Sequence, residues 1–245
     1  MTAMQSRILG PEVDRTRFGL GSAYTVELFT PDEVAEVSSA VRDVPAELRH
    51  ECWRTSGDCG MATIGEPLYR NRERLDYYAA SARRENLPLY RHFRFAHERV
   101  AGFFEERYGV PVVYAESLAV PGFHVFTFDR PGEYDGGGWH VDGLYAQVPY
   151  LAARQREVEG VVNFTLPIEV PDGGSGMDLE DNRPDSFQPG GGPAVTVPYV
   201  PGSLMFTEFD HWHRIAGSRC FEPGQRRVTM QGHGVRFRGR LLLFW

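Results

Sequence analysis

The sequence predicts a mostly β protein with helices, in which a double-sheet jelly roll or a related barrel follows an N-terminal helical part. Apolar residues recur mainly at helical spacing before Pro111 and alternate with a period of two after it. Turn sequences rich in glycine and proline divide the second part into short strands. Because no linker or internal repeat interrupts the chain, we expect residues 1–245 to form one domain, with residues 1–110 as mainly helical support and residues 111–245 as the jelly-roll core.

The first helix is predicted from its capping residues. Thr30 can cap the helix, Pro31 stands at the first helical position, and Glu33 completes a capping box. These residues predict a helix over Pro31–Arg42, after a short alternating run at residues 23–29.

A loop and a second helix are predicted between residues 57 and 108. Glycine is frequent in residues 57–65, which is typical of a loop. In residues 89–108 the apolar side chains mostly recur at intervals of three and four, which predicts a helix with one buried face. Its histidines, His92 and His97, lie on or beside the polar stripe, where solvation is more common than metal binding. Gly109 and Pro111 then end the helix.

The rest of the chain is predicted to form short strands. Alternation of apolar and polar residues indicates strands at residues 112–120, 122–128, 161–167, 194–200, 203–206 and 226–236. Proline and glycine stand together in turns at residues 121–122, 131–132, 171–174 and 201–202. Such regular spacing is typical of a jelly roll whose helices pack on one outer face.

Composition restricts the classes of partner and compartment. The chain of 245 residues is 42% hydrophobic and can bury a sizeable core. Its formal net charge of −7 argues against a nucleic-acid groove or an anionic membrane surface, so we expect a small-molecule partner. Residues 1–9 contain no apolar segment of signal-peptide length, and no run of about 18 apolar residues occurs, which predicts a cytoplasmic protein. Cys52, Cys59 and Cys220 lack CxxC spacing and are expected to be free thiols.

A candidate metal site begins in the sequence at residues 138–143. On a strand, His140 and Asp142 project from the same face while Val141 points the other way. An imidazole and a carboxylate together suit iron, manganese or zinc. For so short a pattern, the alternative is a hydrogen-bonded pair at a turn.

A third ligand is available in residues 206–215, which contain both His211 and His213. Since these histidines are two residues apart, they share a face of any extended segment, and alternation does not distinguish them. Trp139 and Trp212, each beside a candidate ligand, are possible walls of the pocket.

A candidate carboxylate receptor lies on the last long predicted strand. Arg227 and Thr229 share one face of this strand, and Arg226 points the other way. A guanidinium can bind a carboxylate through two parallel charge-assisted hydrogen bonds, and a neighbouring hydroxyl can add a third. An ordinary surface arginine is the alternative. Gln231 and His233 continue the face of Arg227.

Weaker candidates lie on neighbouring strands. Asn163 and Thr165 share one face of a strand that could line the cavity, where they would contact a cosubstrate or only satisfy local hydrogen bonds. His124 and His233 are expected to be structural histidines with satisfied hydrogen bonds.

The joint order of His140-x-Asp142, a later histidine and Arg227-x-Thr229 is more specific than any of its parts. This order resembles the iron(II)- and 2-oxoglutarate-dependent oxygenases, and the resemblance covers residues 123–235. It implies a double-stranded β-helix, the jelly-roll architecture that is also found in cupins.

The resemblance also implies a role for each candidate residue. The metal-binding and catalytic residues implied are His140, Asp142 and His213, and the cosubstrate contacts are Arg227, Thr229 and Asn163. His213 is preferred to His211 because the family usually has an aliphatic residue soon after its distal histidine, here Ile215. Two imidazoles and one carboxylate leave three positions on Fe(II) open, enough for bidentate 2-oxoglutarate and O2.

The implied activity is that of a dioxygenase that oxidises a small metabolite, an amino-acid-like or other natural-product compound of secondary metabolism, with release of succinate and CO2. Hydroxylation is the simplest outcome, and desaturation, cyclisation and epoxidation are alternatives that depend on positioning. Retention of Asp142 implies oxygenation rather than chlorination. Two further hypotheses are a cupin-like metal-dependent dioxygenase or isomerase that does not use 2-oxoglutarate, and a non-catalytic β-sandwich binding protein.

Overall fold

Alternating apolar side chains, mostly from the C-terminal half, build one large and mainly antiparallel sheet. The structure, a computed structural model, describes residues 23–54, 59–134, 136–180, 194–208 and 211–245. The strands of its first half are β1 (Ala23–Glu27), β2 (Arg49–Arg54), β3 (Cys59–Ile64), β4 (Val112–Val113), β5 (Gly122–Phe128) and β6 (Gly132–Tyr134). The remaining strands are β7 (Val158–Glu169), β8 (Gly176–Glu180), β9 (Ala194–Pro198), β10 (Ser203–Thr207), β11 (Trp212–Ile215), β12 (Ser218–Phe221), β13 (Arg226–Phe237) and β14 (Arg240–Phe244). The α-helices are α1 (Pro31–Arg42), α2 (Leu75–His92), α3 (Arg94–Tyr108) and α4 (Pro149–Ala152).

The strands form a major sheet and a minor sheet. In the described part of the chain, the major sheet has the order β1-β10-β7-β13-β5-β3-β2, while β14 pairs with β13 and β4 runs parallel to β14. The minor sheet has the order β11-β8-β9, and β12 pairs with β6 beside it. One cavity is lined by side chains from both the major and the minor sheet. This arrangement confirms the predicted fold class, a jelly-roll core of the double-stranded β-helix type.

Helices α1 and α3 pack against the face of the major sheet that lies away from the cavity. Val37 and Val41 of α1 and Val100 and Phe104 of α3 are buried in one apolar cluster with Leu166 of β7. A second cluster lies near β14, where Tyr78 and Ala82 of α2 contact Leu68 and Phe244. The helices therefore support the sheet from outside, as the sequence predicts.

The ends of the helices follow their predicted caps. The Glu33 amide donates to Thr30 Oγ1 at 3.3 Å, and the Thr30 amide donates to Glu33 Oε2 at 2.7 Å, which is the predicted capping box. Gly109 ends α3 in the left-handed region, with φ of 65°. The predicted helix over Pro31–Arg42 is confirmed in both of its bounds.

The prediction of a loop at residues 57–65 is wrong for most of that stretch. Residues 57 and 58 lie outside the described part, but Cys59–Ile64 is strand β3, paired with β2 on one side and β5 on the other. Ala62 is 1% exposed in this strand, which lies inside the sheet, so the glycines of the stretch do not mark a loop there.

The predicted helix at residues 89–108 is two helices that meet at Phe93. The expectation of a solvated His97 is also wrong. Its ring is fully buried, with Nε2 at 2.8 Å from the Pro121 carbonyl oxygen and Nδ1 at 3.0 Å from that of Phe93. Burial lowers the pKa of His97 to about 4. This histidine therefore joins α3 to the turn before β5.

The predicted strand at residues 112–120 is reduced to Val112–Val113. Near the end of the predicted strand, the backbone bonds to side chains of α2 and not to a neighbouring strand. The Val120 amide donates to Asn86 Oδ1, and the Ala119 amide donates to the Tyr78 hydroxyl. Sequence periodicity does not reveal such bonds, which satisfy the backbone without a ladder.

Cys52 and Cys59 are free thiols, as predicted. The side chain of Cys220 and residues 1–9 lie outside the described part of the chain. None of the described helices combines the length and the apolar character needed to cross a membrane.

Candidate metal centre

His140, Asp142 and His213 lie together in the wall of the cavity. Their candidate ligand atoms are all within 4.8 Å of one another. His213 Nε2 is 3.4 Å from Asp142 Oδ2, and His140 Nε2 is 3.8 Å from Asp142 Oδ1. The structure therefore brings together the three residues that the sequence pattern selects.

The backbone explains why the two histidines meet. The His140 amide donates to the His213 carbonyl and the His213 amide donates to the His140 carbonyl, both at 2.9 Å. Residues that exchange both bonds face each other directly, and the two rings are 4.3 Å apart. His140 makes only this isolated bridge, so the predicted strand around it is wrong. Asp142 precedes Gly143, which has φ of 50° and turns the chain into a short 3-10 helix.

Both histidines have a defined hydrogen bond at Nδ1. That of His140 is 2.8 Å from the Gly138 carbonyl oxygen, and that of His213 is 2.8 Å from the His211 carbonyl oxygen. Because a carbonyl oxygen only accepts, Nδ1 must donate in each case, and Nε2 presents its lone pair toward Asp142 in the neutral ring. This is the tautomer that metal-binding histidines adopt when a backbone carbonyl orients them.

Asp142 is surrounded by positive or potentially positive groups. Burial opposes its ionisation, but charge on His233, His213, His140 and Arg72 holds the pKa of the carboxyl below its usual range. Asp142 therefore carries a negative charge at neutral pH, as a metal-binding carboxylate must.

His211 and His213 both face the cavity, as expected for two residues that are two apart in an extended segment. They nevertheless lie at different places in its wall. Only His213 belongs to the three-residue cluster found among the described residues. The buried ring of His211 lies elsewhere in the wall, while its carbonyl oxygen orients His213.

The cavity has a volume of about 450 Å³ and a polar and an apolar part. The polar and ring-bearing wall residues are Tyr69, Arg72, His124, His140, Asp142, Asn163, Thr165, Thr207, His211, His213, Gln231, His233 and Trp245. The apolar ones are Met61, Phe164, Met177, Leu179, Met205 and Ile215. Five of the eight histidines of the chain line this one space, whereas Asp142 is its only acidic wall residue within the described part of the chain.

Asn163 and His233 are joined beside the candidate metal ligands. His233 Nδ1 is 2.8 Å from Asn163 Oδ1 and 3.8 Å from Asp142 Oδ2. Thr165 and Gln231 continue this wall on the paired strands β7 and β13. The face predicted to be inward on both strands is therefore the face that lines the cavity.

His124 lies deeper and is kept neutral. Its Nε2 is 2.8 Å from the Tyr69 hydroxyl. Burial, with help from the charge of Arg227, lowers the pKa of His124 to about 3. The bond to Tyr69 agrees with the prediction of a structural histidine for one ring nitrogen only, because the buried Nδ1 has no hydrogen-bond partner among the described residues. His124 also forms part of the cavity wall.

Arg227 and Thr229 are buried on the inward face of β13, but neither is part of the cavity wall. The Arg227 side chain is 2% exposed, and its guanidinium lies 3.9 Å from the centroid of the Phe126 ring. Phe126 is paired with Arg227 on one side and with Met61 on the other, and Met61 reaches the wall. The predicted receptor thus lies one side chain behind the cavity.

Arg226 points to the opposite face of the sheet, as predicted. It forms a two-bond ion pair with Glu169, to which Ser38 of α1 also donates. Its structural contacts are therefore on the helix side, away from the candidate metal centre.

Sequence patterns do not identify some residues of the cavity wall, and they wrongly predict that two tryptophans belong to it. Tyr69, Arg72 and Trp245 line the wall, but no motif surrounds them. Trp139 and Trp212, predicted as possible walls, are absent from it, and the Trp139 ring instead lies under the Arg214 guanidinium at 4.9 Å. Gly122 is the sequence feature that relates to Trp245, because a side chain at position 122 would collide with the Trp245 indole ring.

Tyr69 and Arg72 belong to residues 66–74, which we call the 66–74 segment. Asn71 is 1% exposed and ties this segment to itself, because its Nδ2 donates to Glu66 Oε1 at 2.7 Å and to the Pro67 carbonyl at 3.1 Å. His50 joins the segment to α2, with Nδ1 at 3.4 Å from Glu66 Oε2 and Nε2 at 3.0 Å from Glu85 Oε2.

The ion pair of His50 gives a pH-dependent prediction. The hydrogen bond to Glu85 raises the pKa of His50 in the folded protein, despite desolvation. A raised histidine pKa stabilises the fold fully below the unfolded value of about 6.5, and this stabilisation is lost as pH rises through the folded value. We therefore expect the loss in unfolding free energy for His50→Gln to be larger near pH 6 than near pH 8, measured by urea denaturation.

The same experiment in a Glu85→Gln background provides the control. The pH-dependent part of the His50 effect should then decrease, since Glu66 remains as the only acidic partner of His50 among the described residues. An effect of His50→Gln that grows with pH would contradict the assignment.

Comparison with known proteins supports the fold independently. No protein-family model matches the chain, and no curated protein matches its sequence. An N-substituted L-amino acid dioxygenase from Burkholderia ambifaria AMMD, solved in complex with α-ketoglutarate, superposes with a TM-score of 0.55 at 15% identity, covering 91% of this chain and 86% of that one. For AviO1 from Streptomyces viridochromogenes Tue57 the TM-score is 0.52 at 14% identity, with 91% and 94% covered. For the non-heme α-ketoglutarate-dependent epimerase SnoN from nogalamycin biosynthesis it is 0.51 at 16% identity, with 91% and 84% covered. The likeness to these structures confirms the fold that the sequence pattern predicts.

Proposed function

We propose that the chain is an iron(II)- and 2-oxoglutarate-dependent oxygenase that oxidises a small organic substrate. The observation that carries this proposal is the cluster of two imidazole Nε2 atoms and one carboxylate in the wall of a mostly apolar cavity. Its support from other proteins is the similarity in fold to a dioxygenase solved with α-ketoglutarate and to an α-ketoglutarate-dependent epimerase.

The donor set fits iron(II). Neutral imidazoles and a carboxylate suit this metal, and three protein ligands on one side leave positions for exchangeable ligands. The backbone bonds at both Nδ1 atoms fix the ring orientations, so the site requires little rearrangement to bind a cation. His140, Asp142 and His213 are therefore the proposed metal ligands and catalytic residues. Bound iron would supply the activation of O2 that oxidation of an unactivated C–H bond requires.

The cosubstrate site proposed for 2-oxoglutarate uses Arg227 and Thr229 for the far carboxylate. Arg227 is 2% exposed, and a guanidinium in so buried a position favours a bound carboxylate. Tyr199 is a third buried group near this point, since burial raises its pKa and the positive charge of Arg227 partly opposes that rise. Asn163 is the proposed polar contact nearer the metal, where it already holds His233.

Access to Arg227 requires the cavity to extend past Met61. Met61 lies in the same row of side chains as Phe126 and Arg227, and Met177 and Met205 also line the wall. Unbranched methionine side chains change conformation at low cost, so they can open space for a five-carbon dicarboxylate. In this proposal the methionines close over the cosubstrate and exclude water from the reacting centre.

Hydroxylation is the proposed outcome, because it needs only a C–H bond held near the metal. The fold does not determine this outcome, since an epimerase has the same architecture. The proposed substrate is a small metabolite of the natural-product or amino-acid-like class, in keeping with a cavity of about 450 Å³.

The test is turnover of 2-oxoglutarate. Protein loaded with iron(II) should convert 2-oxoglutarate to succinate in air at a slow rate without substrate, and Asp142→Ala should lose most of this activity. Protein loaded with zinc is the control, since zinc has no redox chemistry. Iron binding without succinate formation would favour the cupin-like alternative, and failure to bind iron would favour a non-catalytic binding protein.

A further inference from the structure

Arg72 is the only arginine in the described wall of the cavity. The side chain is exposed, and no hydrogen bond or ion pair joins it to the other described residues. It nevertheless lines the same cavity as Asp142. A permanent cation therefore stands at the cavity close to the candidate metal centre, in a protein with a net charge of −7.

In the proposed complex, the charges of the metal, its ligand Asp142, Arg227 and 2-oxoglutarate add up to zero, so the positive charge of Arg72 is not balanced. A divalent metal and ionised Asp142 together carry one positive charge, and Arg227 adds another. These two charges balance the two carboxylates of 2-oxoglutarate, so the charge of Arg72 remains after metal and cosubstrate are bound. Because Asp142 is the only acidic wall residue among those described, the described wall supplies no further anion.

The position of Arg72 is fixed by its neighbours. On one side of it, Asn71 is buried and donates to Glu66 and to the Pro67 carbonyl. Three residues before it, the Tyr69 hydroxyl is bonded to His124 in the deep wall. Two residues after Arg72, the Arg74 amide donates to the Asn71 carbonyl at 2.8 Å. The backbone is therefore held before and after Arg72, which reduces the entropy lost when the guanidinium binds a ligand.

We propose that Arg72 binds an acidic group of the substrate, a carboxylate or a phosphate, while the apolar wall holds the rest of the molecule. This inference rests on the proposed function and names the class of its substrate. A guanidinium can bind either anion through two parallel hydrogen bonds. The apolar part of the substrate would contact Leu179 and Ile215 of the minor sheet, which face the same space as His213.

Octanoate, octyl phosphate and octanamide are suitable probes, because they share an apolar chain and differ in the charged group. They are titrated calorimetrically into anaerobic protein loaded with iron(II) and saturated with 2-oxoglutarate, so that Arg227 is occupied. We expect one of the two anions to bind about tenfold more tightly than octanamide, as one charge-assisted contact at a partly exposed site predicts. The anion that binds more tightly identifies the acidic group.

Arg72→Gln should remove this preference and change octanamide and 2-oxoglutarate binding less than twofold. Arg72→Lys keeps the charge without the planar fork and should retain part of the preference. Arg83→Gln, which removes the same charge from an exposed position of α2, is the matched control and should retain all of it.

Equal binding of the anions and octanamide to the unchanged protein, or no binding of either anion at millimolar concentration, would overturn the proposal. A parallel loss of all three probes in Arg72→Gln would also overturn it, since that result indicates a change of shape. A rise in the dissociation constant of 2-oxoglutarate alone would assign Arg72 to the cosubstrate. If the protein binds no 2-oxoglutarate, the proposed function fails, and the effect of Arg72→Gln on octanoate still decides the present inference.

Discussion

Replacement of Arg227 by alanine is expected to weaken 2-oxoglutarate binding by about 2–5 kcal/mol, the cost of removing one partner from a buried charged pair. Arg227 lies on the inward face of β13 and is 2% exposed, so solvent screens its charge little. The measurement is calorimetric titration of 2-oxoglutarate into anaerobic protein loaded with iron(II). Arg227→Lys should recover part of the affinity, because it keeps the charge but loses the planar fork.

The adjacent arginine provides the matched control for this prediction. Arg226 is bound to Glu169 on the other face of the sheet, so Arg226→Ala should lower stability but leave 2-oxoglutarate affinity nearly unchanged. A large loss of affinity with Arg226→Ala and none with Arg227→Ala would contradict the assignment of the inward face. It would also remove the main support for a cosubstrate site behind Met61.

The second large effect concerns the metal. His213→Ala removes one of three proposed ligands and should reduce iron(II) affinity by more than the roughly 10–100-fold that loss of an outer hydrogen bond to a ligand typically causes. Iron content after anaerobic gel filtration measures the effect directly, and the visible absorption band of iron(II) with a bound 2-oxo acid should disappear in parallel. Asp142→Ala should behave in the same way.

His211→Ala is the control for this experiment. It removes a ring from the cavity wall but keeps the backbone carbonyl that orients His213 Nδ1, so iron affinity should change little. If instead His211→Ala abolished iron binding and His213→Ala did not, the proposed ligand set would be wrong. Preserved binding in both variants would place the metal elsewhere.

The parts of the fold that the sequence predicts well are those whose cause is local. The helix over Pro31–Arg42 follows from a capping box, and β5 and β13 follow from alternation bounded by turns. Errors occur where a distant partner decides the structure. Strand β3 contains glycine and small residues, and it is a strand because β2 and β5 pair with it on both sides.

In the candidate site, too, local features are predictable from the sequence, whereas contacts between distant residues are not. Parity along β13 correctly separates Arg226 from Arg227, because alternation is a local property of a strand. Parity does not separate His211 from His213, since the distinction depends on the bridge between His213 and His140, which are 73 residues apart in the sequence. Arg72 has no motif at all, and only the tertiary structure brings it to the cavity.

The 66–74 segment reaches the cavity from outside the strands and the loop that carry the three proposed metal ligands. Its anchors run to β2, β5 and α2 through His50, His124 and Glu85, and none of them involves the minor sheet. In the proposals above, the acidic group of the substrate and the metal are thus bound by parts of the chain that can diverge separately. Exchange of the side chains at positions 69 and 72 can alter the range of accepted molecules while the chemistry is inherited intact. An enzyme built in this way can acquire new substrates through changes in one short segment.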